Sequence, residues 1–185
     1  MYLGGFILSR LVAPIEKSCS DASPLETMGF LLGRPVHLND VGARRAFAKL
    51  PSELVDIGSP EKLVGSQVTY IENVITGPTD STRSHVRFNS DVLARISYRI
   101  RTDPDYRGMF MIGWYHSHPG YGCFMSQTDE NTQRNYFSKD YHLACVHDPV
   151  RREWGWFKLS QSTGRCVPVI PLCADTFEMW FDEQT

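Results

Sequence analysis

Between Gly113 and Asp129 the chain gathers residue types that bind and activate metal ions: His116 and His118, then Ser126 and Asp129. On a strand, side chains two residues apart share a face, so His116 and His118 present both imidazoles on one side. Pro119 and Gly120 end that strand and turn the chain. Ser126 is a favourable helix N-cap. Asp129 falls in the first helical turn, where the helix dipole favours a carboxylate and aims it back towards the strand end. Two neutral imidazoles and one carboxylate are the ligand set of an open catalytic zinc site with water in the fourth position. A single carboxylate leaves such a site net positive, which brings the pKa of the water to about 7 and supplies hydroxide at neutral pH.

Taken singly, each part has an ordinary reading. Two histidines near a strand end are often polar surface, and Ser-x-x-Asp is more often a helix cap than a site. Cys123 reads as a small packing residue of the loop rather than a fourth ligand or a nucleophile. The combination is what points to a metal.

These side chains need elements to hold them. Residues 109–118 read as the strand that carries the histidines, and 126–137 as the helix that carries the aspartate. Residues 28–33 are a short apolar run closed by glycine, most simply a buried strand. Upstream, Leu8, Leu11, Val12 and Ile15 are spaced like one helix face, with Pro14 predicting a kink or a late start. Residues 68–75 are rich in β-branched side chains and read as a strand before a Gly77-Pro78 turn. Another short strand is expected at 85–88. Asn89 or Ser90 then caps a helix that buries Val92, Leu93, Ile96 and Ile100 and ends before Pro104. Strands at 143–146 and 154–159 follow, joined at Asp148-Pro149. Residues 43–50 fit a strand or a short helix equally well. In the tail from Ala174, Phe177, Trp180 and Phe181 have helical spacing. No internal repeat interrupts this order, so one α/β domain is expected.

Composition agrees with that size and class. The 185 residues are 42% hydrophobic and 22% charged, the balance of a globular domain with one core. Nineteen basic against twenty-one acidic side chains leave a charge of -2, without the basic excess of a nucleic-acid binder. No apolar run is long enough to span a membrane, and the start has no basic region or cleavage site of a secretory signal. Five cysteines, an odd number with no C-x-x-C pair, point to a reduced, cytoplasmic compartment.

The string His116-Ser117-His118-Pro119 followed by Ser126-x-x-Asp129 resembles the signature of the JAMM (MPN+) zinc metalloproteases, also called the JAB1/MPN/Mov34 family. The flanking Gly113-Trp114-Tyr115 and Gly120-Tyr121-Gly122-Cys123 look like the proteasomal and signalosome deubiquitinase and deneddylase subunits. Glu26-Thr27-Met28-Gly29, ahead of the apolar run, matches the glutamate segment that the family places upstream. Arg87-Phe88 and Asp148-Pro149 are further echoes, so the resemblance runs from about Phe6 to Leu159.

The resemblance implies an MPN domain: a mixed β-sheet flanked by helices, with zinc at a strand end and a helix N-terminus. That domain would cover residues 1–165, with 34–67 as an insertion; residues 166–185 would add a C-terminal strand and a short amphipathic tail packed on it. It also implies roles. His116, His118 and Asp129 would bind Zn2+. Glu26 would take a proton from the attacking water and pass it to the departing amine, and Ser126 would donate a hydrogen bond to the oxyanion. The expected substrates are conjugates of ubiquitin or a ubiquitin-like protein, cleaved at the isopeptide bond to lysine. An extended substrate tail suits an exposed sheet edge, for which residues 81–88 are the candidate.

Departures from the pattern set further expectations. No large insertion follows the zinc helix, and the helical extension that joins the proteasomal and signalosome subunits to their complexes is absent. A compact stand-alone domain from a prokaryotic ubiquitin-like pathway is the corresponding reading. The alternatives are a zinc amidase that processes a ubiquitin-like precursor, and an MPN scaffold that is non-catalytic or activated by a protein partner. A nucleoside deaminase is disfavoured, since no His-x-Glu with a downstream Pro-Cys-x-x-Cys occurs.

Overall fold

The longest apolar runs of the sequence become neighbouring strands. In the computed structural model, which describes residues 2–49, 59–76, 81–82, 85–86 and 90–173, strand β2 spans Met28–His37 and its first six residues are buried. Strand β6, Phe110–Ser117, buries its last six, and β7, Leu143–Asp148, is buried throughout. Strands covered on both faces must read as near-continuous apolar stretches. That is why these three are visible in the sequence.

Around them lie β1 (Tyr2–Ile7), β3 (Gln67–Thr76), β8 (Glu153–Leu159) and β9 (Cys166–Cys173). The strands follow the order β1-β3-β2-β6-β7-β8-β9 and form a closed barrel. Closure comes from β9, which runs antiparallel to β8 and parallel to β1. The expected mixed sheet is therefore curled until its edges meet. β4 (Ser81–Thr82) and β5 (His85–Val86) pair separately as a two-stranded antiparallel ladder.

Among the described residues, four α-helices flank the barrel. A 3-10 turn at Ser9–Leu11 leads into α1, Val12–Ala22. Pro14 thus lies in the first turn, where its missing N–H has no helical partner to lose. The proline marks a late start and not a kink. The undecided stretch near residue 43 is helix α2, Asp40–Lys49, and β2 runs on to His37, four residues into the 34–67 segment. α3 covers Ser90–Thr102, and α4 covers Gln127–Tyr136. The Gly77-Pro78 turn, Arg87-Phe88 and the aromatic tail residues Phe177, Trp180 and Phe181 lie outside the described residues.

The two faces of the sheet carry different helices. Ile15 and Cys19 of α1 pack with Leu31, Ile71, Ile112, Tyr115, Leu143 and Cys145. On the other face Phe30, Leu32, Trp114 and Ala144 pack with Ile96 of α3 and Phe137 at the end of α4; Val92, Leu93 and Ile100 join them as expected. Leu38, Ala43, Ala46 and Leu63 make a third cluster around α2. A register shift between Leu31 and Leu32 gives β6 one extra residue, since Leu31 faces Gly113 while Leu32 faces Met111. Such a bulge reverses side-chain parity along the strand. It lets Ile112 and Tyr115, three residues apart, serve the same core, and it leaves Trp114 and His116 on the face covered by α3 and α4.

β6 and β7 approach closely at Gly113. A Cβ there would run into the carbonyl oxygen of Leu143, a backbone atom that cannot swing aside. Gly113→Ala should therefore destabilise the fold by about 1–3 kcal/mol, as overpacked sites do. Urea denaturation of the two proteins measures it; equal midpoints would mean that β6 and β7 can separate at no cost.

Candidate metal centre

β6 ends in the two histidines. His116 pairs with Met28 of β2 on one side and with Val146 of β7 on the other. Beyond the strand, the backbone N–H of His118 donates to the carbonyl of His147 at 3.0 Å. The Nε2 atoms of His116 and His118 stand 3.1 Å apart. Asp129 comes from the first turn of α4 and lies 3.4 Å from His116 Nε2 through Oδ1 and 3.6 Å from His118 Nε2 through Oδ2. All three residues are nearly inaccessible to solvent.

These separations suit an ion. Tetrahedral ligands bonded at ~2.0–2.1 Å are about 3.3 Å from one another; the imidazole pair stands near that spacing, and each imidazole approaches it with a different oxygen of Asp129. Both Nδ1 atoms are buried without a protein partner, so each imidazole turns Nε2 to the centre. Among the described residues this is the one group of histidine, cysteine or carboxylate side chains arranged to hold a metal ion.

The capping box places Asp129. Ser126 Oγ accepts from the Asp129 backbone N–H at 3.2 Å, and Asp129 Oδ2 accepts from the Ser126 backbone N–H at 2.8 Å. This reciprocal pair satisfies two otherwise orphaned donors and holds the carboxylate beside the strand end.

Glu26 arrives through the β2–β6 register. On the site's side of the bulge, the numbers of paired residues sum to a constant, as in Met28 with His116 and Gly29 with Tyr115. The pattern continues past the strand ends: Ser117 N–H donates to the Thr27 carbonyl at 3.0 Å, and Thr27 N–H donates to Ser117 Oγ at 2.9 Å. Glu26 is consequently opposite His118. Ser117, fully buried, is the clamp that brings it there.

A second carboxylate shapes the loop between the histidines and α4. Asp148 is fully buried and accepts backbone N–H bonds from Gly120, Gly122, Val150 and Arg151. Gly120 and Gly122 have φ of 83° and 81°, a region that side chains rarely allow. Two left-handed turns and one multiply bonded carboxylate return the chain from His118 to Ser126. Cys123 takes no part in the ligand group; its thiol donates to the Val146 carbonyl.

The electrostatics follow from burial and neighbours. Burial opposes ionisation of Asp129, but the two imidazoles and the bond from Ser126 outweigh it and hold the carboxyl well below the usual range. Burial lowers the pKa of His116 despite the attraction of Asp129, which keeps the ring neutral, as a metal ligand must be. For His118, burial is outweighed by Asp129 and Glu26, and its pKa is raised. Glu26 is pushed up to about 7, first by burial, with His118 lowering and Asp129 raising it. Burial also opposes ionisation of Asp148, and its four backbone donors reverse the sign.

All five residues singled out in the sequence, Glu26, His116, His118, Ser126 and Asp129, meet at this one place. Ser117 and Gln133 were not singled out, nor was Trp114 beyond its place in the flanking motif. Trp114 stacks on His116 with ring centroids 4.4 Å apart, and its indole N–H donates to Gln133 of α4 at 2.8 Å. Glu130, also overlooked, binds Arg134, Arg165 and the Cys166 N–H, tying α4 to β9. The i, i+4 spacing of Asp129 and Gln133 was the available signal, because it puts both on one helix face.

A barrel strand that ends in two imidazoles, met by a carboxylate at a helix N-terminus, gives an α/β domain with a group of side chains that could hold a metal ion. Comparison with known proteins gives its family. Residues 57–140 match the family model of the JAB1/Mov34/MPN/PAD-1 ubiquitin protease. The chain is 31% identical over 150 residues to the 26S proteasome regulatory subunit RPN11 of Candida glabrata, covering 78% of this chain and 46% of the relative. It is 33% identical over 103 residues to COP9 signalosome complex subunit 5 of Eremothecium gossypii, covering 51% of this chain and 24% of the relative. A protein of Desulfitobacterium hafniense, solved in solution, shares the fold with a TM-score of 0.61 at 15% identity over 94% of both chains. This chain carries a domain of the JAB1/Mov34/MPN/PAD-1 family. It spans less than half the length of these two curated relatives.

The raised pKa of Glu26 gives a stability test on the metal-free chain. Folding lifts that pKa from 4.5 to about 7, so the folded state binds the proton more tightly between those values. Its destabilising effect is absent below about pH 4.5, grows as pH rises through the window, and is complete above about 7. Glu26→Gln should raise the thermal midpoint at pH 8 more than at pH 4.5. A difference between the two proteins that does not change with pH would show that Glu26 ionises freely.

Proposed function

We propose that this chain is a zinc-dependent isopeptidase that removes ubiquitin or a ubiquitin-like protein from lysine side chains. The observation that carries the reading is the meeting of His116, His118 and Asp129 with Glu26 opposite His118 and Ser126 beside Asp129. The family's description as a ubiquitin protease supports the choice of substrate, as does similarity to proteasome and signalosome subunits.

His116, His118 and Asp129 would hold the ion. Zinc bound there supplies Lewis acidity that polarises a carbonyl and eases ionisation of water. Glu26 has an affinity for protons near neutrality, which suits a group that takes one from the attacking water and returns it to the departing lysine amine. Ser126 Oγ accepts from the Asp129 N–H and keeps its own proton, free to bond the developing oxyanion. The β4–β5 ladder stands apart from the barrel, and a modifier's extended C-terminal tail could pair there by strand addition. Cys19, Cys123, Cys145 and Cys166 are free, in keeping with work in the reducing cytoplasm. Both curated relatives are named as subunits of larger complexes, so activation by a partner protein fits the same reading.

Cleavage of a fluorogenic ubiquitin–lysine isopeptide, measured alongside zinc content, is the test. Glu26→Ala should lower the rate by about 10²–10⁴-fold, the usual worth of a general base, while zinc stays near one per chain. His116→Ala should lose the metal itself. Variants that both retain the parent rate would overturn the assignment. Cleavage of precursor fusions without cleavage of lysine conjugates would narrow it to processing.

A further inference from the structure

Metal-binding histidines almost always donate their second ring N–H to a carboxylate, carbonyl or water, which fixes the tautomer and the ring plane. Here both Nδ1 atoms are buried with no protein acceptor, so the ring of His116 needs another restraint. It has one. Trp114, two residues earlier on the same face of β6, lies nearly parallel to it, with ring centroids 4.4 Å apart and an interplanar angle of 11°.

Trp114 is itself fixed. Its indole N–H donates to Gln133 Oε1 at 2.8 Å. The Gln133 amide is fully buried, and its Nε2 donates to the carbonyls of Phe137 at 3.0 Å and His142 at 3.4 Å. Those bonds decide which end of the amide faces Trp114. The Phe137 ring lies nearly parallel to the indole, with centroids 6.3 Å apart.

The spacing of this chain of contacts matches the ligand geometry. Asp129 and Gln133 are four residues apart on α4, a rise of about 6 Å. His116 and Trp114 are two apart on β6, a rise of about 6.6 Å. One helix face therefore meets one strand face twice, Asp129 at His116 and Gln133 at Trp114. The second contact sets the angle and height at which the first is made.

We propose that Trp114 and Gln133 are positioning residues of the metal centre. Gln133 orients the indole, and the indole holds the His116 ring in its ligating plane, in place of an acceptor at Nδ1. The proposal rests on the zinc reading above. It makes His116 a ligand whose orientation depends on aromatic overlap, so ring shape at position 114 matters beyond apolar volume.

Zinc affinity of the purified chain, by competition with a chromophoric chelator, and the visible spectrum of the cobalt-substituted protein test it. Trp114→Leu should weaken zinc binding at least tenfold, in the range seen when outer partners of metal ligands are removed, and change the cobalt spectrum. Trp114→Phe, which keeps a ring to stack, should recover most of that affinity. Gln133→Met keeps the volume but removes the acceptor; it should alter the cobalt spectrum and weaken zinc severalfold in a metal-free chain that is less stable, through the lost buried hydrogen bonds, but still folded at the temperature of the titration. This variant carries the test even if Trp114→Leu does not fold. Parent-like affinity and spectrum in Gln133→Met and in any folded Trp114→Leu would overturn the positioning role. A parent chain that binds no zinc would instead overturn the metal reading, and this role with it.

Discussion

The pairing of β2 with β6 is the constraint on which the rest of the site depends. In an antiparallel ladder a shift of one residue turns every side chain to the opposite face. Setting Met28 against His116 therefore does two things together. It sends the imidazoles to the face that α4 covers, and it delivers Glu26 to the level of His118. The Thr27–Ser117 bonds extend this register past the regular strands, where fraying would otherwise free both segments. Ser117 separates the two histidines in sequence and points the other way, so the residue between them becomes the fastening for the segment that carries Glu26.

The other half of the site depends on a helix with an unusual buried face. The buried residues of α4 are Asp129, Glu130 and Gln133, with no apolar stripe among them. A hydrophobic stripe tolerates sliding and rotation, because dispersion contacts carry little direction. Buried polar groups do not, since each one left unsatisfied costs about 1–3 kcal/mol. Gln133 can be satisfied in one pose on Trp114, Phe137 and His142, and Glu130 in one pose on Arg134, Arg165 and Cys166. The helix is thus located by hydrogen bonds. Directional docking of this kind suits an element whose first turn must present a carboxylate within ångströms of two imidazoles.

Local and distant order are divided unevenly in this chain. The capping box, the strand-to-turn transition after His118, and the shared face of His116 and His118 are short-range consequences of residue type and spacing. The sequence alone was enough for them. The buried strands and α3 were legible for a related reason: their periodicity is strong and their neighbours are covered on the expected faces. α2 was ambiguous because its buried residues are Gly42, Ala43 and Ala46, too small to write a clear apolar period. The position of α4 was legible but not its docking, because polar side chains in a helix ordinarily signal solvent.

What the amino-acid order determined by itself was the set of candidate ligands and the helix cap beside it, since each depends on neighbours within a turn or a strand. Only the tertiary structure decided where Glu26 stands, that β9 closes the sheet on β1, and that Trp114 and Gln133 brace His116. Those outcomes rest on strand register, on a bulge at Ile112 and on hydrogen bonds between residues far apart in the chain. Spacing along one segment carries no record of which distant segment will lie against it.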